Sequence, residues 1–149
     1  MIIKSIYAFL ASLGFGVLFN IKGKNLFFAS LGGGITWGIY LVVFKYYKFD
    51  LFSLFIASLF AGIYSEIFAR ILKTPVTTFS ICSIITLVPG RGMYYTMLES
   101  VQGNINNFLS TGLNTLSSAG AIAVGILLAS SVTKVITFIL KANKISSNR

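Results

Sequence analysis

The sequence predicts an all-α fold, a polytopic bundle of about five transmembrane helices, and three observations lead there. Hydrophobic residues make up 56% of the 149 positions and charged residues only 10%, against about 25% charged in soluble domains. Mean hydropathy is +0.87. The apolar residues fall into runs near the roughly 20 that cross a bilayer, separated by lysine, arginine, asparagine and glycine. A single transmembrane domain over residues 1–149 accounts for all of it.

The first run covers residues 3–19 and is closed by Asn20, Lys22 and Lys24. Lys4 ahead of a short apolar stretch imitates a secretory signal, but the residues before Lys22 offer no convincing small-x-small cleavage site and no soluble domain follows. The second and third runs, residues 26–44 and 51–69, have a short connection and predict a helical hairpin. The fourth, residues 75–88, is only some 14 residues long before Pro89-Gly90 breaks it. It reads either as a half-helix or as a crossing completed beyond the break. Asn104, Asn106 and Asn107 mark an exposed turn or helix start. The last run is residues 118–140, with a basic tail whose end reads as disordered.

The break is the most informative feature. Backbone groups freed by Pro89, Gly90 and Gly92 cannot face lipid, so such a segment lies inside protein or beside a wet cavity, the device transporters use at binding sites. The two glycines permit tight turns, and a helix restarting near Met93 would turn free N–H groups toward an anion. Arg91 would add fork-shaped donors suited to a carboxylate; anchoring to lipid phosphate explains it equally well. Tyr94 and Tyr95 fit an interfacial aromatic belt better than ligands.

The net charge of +9 would point to nucleic acid in a soluble protein. Here the basic residues flank apolar runs, where topology charges belong, and no basic face on a soluble element carries interleaved aromatics, so nucleic acid is excluded as a partner. If the fourth run crosses, Lys22, Lys24, Arg70, Lys73, Lys141, Lys144 and Arg149 share one side and Lys4, Lys45, Lys48 and Arg91 the other. Seven against four places the first side in the cytoplasm, with the amino end outside and the carboxyl end inside the cytoplasmic membrane. A re-entrant fourth run gives five against six and decides nothing.

Small residues recur every four positions: Ala8, Ser12 and Gly16; Ser30, Gly34 and Gly38; Ala57, Ala61, Ser65 and Ala69; Ser117, Ala121, Gly125 and Ala129. Each set forms one helix face suited to close backbone approach. Bundle packing accounts for most of these, and the surplus leaves room for a partner chain or for self-association. Gly32, Gly33 and Gly34 before Thr36 and Trp37 exceed one packing notch and are read either as packing or as allowing local unwinding or a close approach of substrate.

Glu66 lies inside the third run with Arg70 four residues on, spacing that gives an intrahelical ion pair. Ionisable groups at membrane depth are also functional candidates, and of the three acids, Asp50 reads as a loop residue and Glu99 as near the surface. That leaves Glu66 for gating, proton exchange or holding an amine. Lys134 snorkels toward the boundary. No histidine and one cysteine, Cys82, leave no metal triad and no Ser-His or Cys-His pair, so neither an enzyme nor a metal or other cofactor is expected.

The hairpin, then Glu66-Ile-Phe-Ala-Arg70-Ile-Leu-Lys-Thr-Pro75, then Leu87-Val-Pro-Gly-Arg-Gly-Met-Tyr-Tyr-Thr-Met97, then a Gly/Ala-rich helix resembles the threonine/serine exporter family. The resemblance is closest to the short subunit that corresponds to the C-terminal membrane half of full-length exporters. It implies export of small amino acids, or in some split systems of dicarboxylates such as succinate, together with a larger membrane subunit corresponding to the N-terminal half. The family's signature positions fall on Glu66, Arg70, Pro75, Pro89, Gly90 and Tyr94; Arg91 occupies a variable slot. A non-transporting scaffold that stabilises a partner is the competing reading, for which the packing stripes suffice and the broken helix is unnecessary.

Overall fold

A computed structural model describes residues 1–146, and every regular element among them is helical: α1 Ile2–Leu18, α2 Lys24–Tyr47, α3 Asp50–Ile71, α4 Val76–Ile84, α5 Gly90–Val101 and α6 Ile105–Ser146. The all-α bundle is as expected. Of the predicted runs, the first three match α1, α2 and α3 within three residues at either end.

The stripe of α1, Ala8, Ser12 and Gly16, is its buried face. It lies antiparallel on α2, where a Cβ at Gly34 would meet Phe9 Cβ at 3.0 Å and one at Gly38 would meet Ser5 Oγ at 3.2 Å. α2 is continuous through Gly32, Gly33 and Gly34, so these glycines serve packing and no unwinding occurs. A Cβ at Gly33 would lie against Ser12 and 2.8 Å from the Cys82 carbonyl, and one at Gly32 would reach Ser83 and Tyr64. Three helices thereby converge on one turn of α2. α2 ends with Lys48 in the left-handed region at φ 52°, and α3 returns antiparallel, tied by Tyr64 Oη donating to the Phe28 carbonyl at 2.8 Å.

α3 is the central helix, with Ala57, Ala61, Ser65 and Ala69 all buried. α6 runs parallel to it: Leu54 packs with Ile122, a Cβ at Gly62 would meet Ala129 Cβ at 2.5 Å, and Arg70 reaches Thr137. Gly125 and Ala129 are buried on that seam, Ala121 is half-buried and Ser117 is exposed.

Pro75, which has no N–H to leave unpaired, precedes α4. α4 has only nine residues, and turns at 85–88 carry the chain onward from Phe79, packed near Ala69, to Leu87, packed near Leu54 and Ala57. The fourth run therefore travels about 22 Å along α3, at 1.5 Å per residue, without turning back. The break is wider than expected, from Ile85 to Pro89, and α5 starts at Gly90 rather than near Met93.

α6 has 42 residues and begins at Ile105, thirteen before the apolar run predicted it, because Leu109, Leu113 and Leu116 extend its helical pattern. Its length is about 63 Å. Residues 105–117 lie beyond the amino end of α3 and pack on α5, through Gly92 against Thr115 and Gly112 against Thr96. The backbone of Lys141 and Lys144 is helical; the end of the tail, read as disordered from sequence, lies outside the described residues.

Candidate functional site

A cavity of about 620 Å³ opens where four elements end or break. Trp37 and Tyr40 come from the last turns of α2, Asp50 and Leu54 from the first turns of α3. Thr86, Leu87, Val88, Pro89, Gly90, Arg91 and Gly92 bring in the break, and Thr111, Asn114, Thr115 and Ser118 bring in one face of α6. The helix break thus supplies one wall, and the α2–α3 hairpin the facing one. A similar groove of about 640 Å³ between α1 and α2 and one of about 560 Å³ on the opposite side of α5 and α6 are lined without a charged side chain. Of these three, the cavity at the break is the polar one.

Two opposite charges line this cavity. Asp50 is the first residue of α3, where a carboxylate suits the helix dipole, and it accepts a 2.7 Å hydrogen bond from Tyr40 Oη. Arg91 sits in the first turn of α5 with its guanidinium carbon 5.4 Å from the Tyr95 ring centroid, a cation–π contact. No ion pair joins Arg91 to Asp50 among the described residues. The Gly90 N–H is turned back to the Val88 carbonyl at 2.7 Å and that of Met93 to Pro89 at 3.0 Å, while those of Arg91 and Gly92 have no backbone acceptor among the described residues.

The glycines of the break have separate duties. Both are helical, without positive φ, so the tight turn expected of them is made instead by Ile85, Thr86, Leu87 and Val88. A Cβ at Gly92 would press into Thr115, so Gly92 sets the closeness of α5 to α6; one at Gly90 would meet nothing within 4 Å.

The chain belongs to the threonine/serine exporter family. The family model, described as Threonine/Serine exporter, ThrE, matches residues 4–132, which takes in nearly all of α1, all of α2 to α5 and most of α6. No curated protein and no solved structure matches the chain. It is an exporter-family membrane protein, and among the described residues three helices, α2, α3 and residues 105–135 of α6, are long and apolar enough to cross a bilayer, with α1 shorter but apolar.

Against that family assignment, the sequence candidates separate into two groups. Pro89, Gly90, Arg91 and Gly92 line the cavity. Tyr94 lies outside it, 64% exposed on α5 and edge-on to Tyr95 at 5.5 Å. Glu66 and Arg70 are at the other end of α3. Glu66 is 7% exposed and its carboxylate accepts from Arg70 at 3.3 Å, the ion pair expected from their spacing. Arg70 also donates to Thr137 Oγ1 and, at 3.5 Å, to the Thr133 carbonyl, so the pair fastens α6 to α3. Between the two groups lies the turn of α2 where Gly32 and Gly33 meet Ser83, Ser12 and Tyr64. Ser83 and Thr36 there have buried hydroxyls with no partner. Asp50, Tyr40 and Trp37 were not candidates from sequence. The available signal was the short α2–α3 connection, which places the start of α3 beside the end of α2.

Proposed function

We propose that this chain is one membrane subunit of a two-component secondary exporter of threonine and serine, and that substrate passes through the cavity at the Pro89 break. The observation that carries the reading is the polar cavity itself, built from a helix break at one end of the bundle, which a scaffold does not require. The second component is a larger membrane chain corresponding to the N-terminal half of full-length exporters. The stripe ends left open on α6, Ser117 above all, offer it surface.

In this reading the chain sits in the cytoplasmic membrane with Met1 outside and the end of α6 inside, following the excess of basic residues at the Lys22 and Lys73 end. The cavity then faces outward. The glycine-packed turn of α2 closes it toward the cytoplasm, and the Glu66–Arg70 clasp between α3 and α6 is the contact that inward opening must release. Alternating access is rocking of small-residue helix faces about the break. No chemical conversion of substrate is involved.

Efflux of preloaded threonine, serine and succinate from cells expressing this chain with and without the larger one tests the proposal, with Glu66→Gln alongside. Threonine and serine efflux that needs both chains and falls at least tenfold in the variant, with the complex still assembled, is the expected result. Equal efflux from the larger chain alone would reduce this chain to a scaffold, and efflux of succinate alone would move it to the dicarboxylate class.

A further inference from the structure

We infer that Asp50 and Arg91 are the two poles of a zwitterion site, Asp50 taking the substrate ammonium and Arg91 its carboxylate, with Tyr40 as the residue that positions Asp50. The inference rests on the reading that the cavity lies on the export pathway. It adds to that reading a specific assignment of ligands and a reason for preferring amino acids to dicarboxylates.

Asp50 and Arg91 are both exposed and line the same 620 Å³ space without forming a pair, and each has its own neighbour. The Tyr40 hydroxyl fixes Asp50 at 2.7 Å, and the Tyr95 ring carries the Arg91 guanidinium. The tyrosines belong to different elements, α2 and α5, and the poles themselves to α3 and α5. A carboxylate beside Arg91 also meets the unpaired N–H groups of Arg91 and Gly92, giving charge-assisted donors from side chain and backbone together. The ammonium of the same molecule then faces the Asp50 oxygens. Thr111, Asn114 and Thr115 on α6 line the same cavity and offer partners for a side-chain hydroxyl. A dicarboxylate would satisfy Arg91 but set its second carboxylate toward Asp50, a like-charge meeting that selects against it.

Binding of radiolabelled threonine to the full chain in lipid nanodiscs, alone and with the larger chain, tests the assignment through competition by N-acetylthreonine, threonine methyl ester and succinate. For the wild type, each analogue should compete at least tenfold more weakly than threonine. Asp50→Asn should weaken threonine at least tenfold and abolish the preference for threonine over N-acetylthreonine, while Asp50→Glu restores part of both. Arg91→Gln should do the same for the methyl ester. Tyr40→Phe should weaken threonine about threefold to tenfold and reduce the N-acetyl discrimination without touching that against the ester, a split that loss of packing would not produce. A wild type that binds threonine while Asp50→Asn and Arg91→Gln, eluting as folded protein, keep its affinity and analogue order overturns the two poles and leaves the pathway standing. A wild type that binds neither threonine nor serine, alone or with the larger chain, overturns both.

Discussion

At Gly33 a single methyl group decides whether three helices can meet. The Cβ of Gly33→Ala would run into Ser12 and lie 2.8 Å from the Cys82 carbonyl, which is backbone and cannot swing aside. The buried 2.9 Å hydrogen bond from Ser12 Oγ to that carbonyl crosses the same point. Overpacking of this kind costs about 1–3 kcal/mol, so Gly33→Ala should lower the thermal midpoint of the purified chain by several degrees. Gly120→Ala is the control: nothing lies within 4 Å of its Cβ, and alanine gains up to about 1 kcal/mol of helix propensity, so its midpoint should hold or rise. The same reasoning separates the glycines of the break, where Gly92→Ala should loosen α5 from α6 and Gly90→Ala should leave the fold intact. Residue by residue, the sequence was a partial guide to the site. Pro89, Gly90, Arg91 and Gly92 were legible because proline and glycine announce a break wherever they fall. Asp50 was not, because its significance comes from Tyr40, ten positions away across a hairpin, and from a break 39 positions further on. Linear spacing does not encode either meeting.

At the scale of elements, α3 is fastened to α6 at both ends by different means. Near Leu54 and Ile122 the seam is apolar; near Arg70 it is polar, with one guanidinium serving Glu66 on its own helix and Thr133 and Thr137 on α6. Arg70→Ala removes all three partners and leaves a carboxylate 7% exposed without its cation. Breaking a buried pair costs about 3–5 kcal/mol, but the Arg70 side chain is 45% exposed, which brings the expectation to about 1–2 kcal/mol. Glu66→Gln should cost less, since Arg70 keeps its bonds to α6. Thermal midpoints of the two variants in one detergent check the order, and Glu66→Gln more damaging than Arg70→Ala would sink the clasp. The helices themselves were largely legible, α1 to α3 from hydropathy and small-residue spacing. The start of α6 was not. Its first turns alternate leucine with asparagine, serine and threonine, a pattern below any apolar threshold, and they hold their helix by packing on α5.

For the molecule as a whole, the contacts fix which helix ends lie together, and the charges then assign a side to each. Met1 lines a groove with Val42 and Val43 near the end of α2, beside the start of α3 and the cavity. The α1–α2 connection, the end of α3 and Thr137 of α6 gather at the opposite end. Successive passes by α1, α2, α3, the fourth run and α6 therefore alternate in direction, which makes the seven-to-four division of basic residues the applicable count. The bias of lysine and arginine toward the cytoplasm predicts that the Lys22 end is inside and the cavity end outside. Cysteines placed at Tyr46 and Gln102, both exposed, should react with an impermeant maleimide on intact cells, and one at Lys22 only after permeabilisation. The native Cys82 is fully buried, so the unsubstituted chain should give little background. Labelling of Lys22→Cys on intact cells with Tyr46 and Gln102 protected would reverse the molecule, and the cavity would then be the cytoplasmic entrance to the pathway rather than its exit. The arrangement of residues around the cavity would be unchanged by that reversal, but Glu66 and Arg70 would become the outer closure, so the labelling experiment fixes the direction in which the clasp must act.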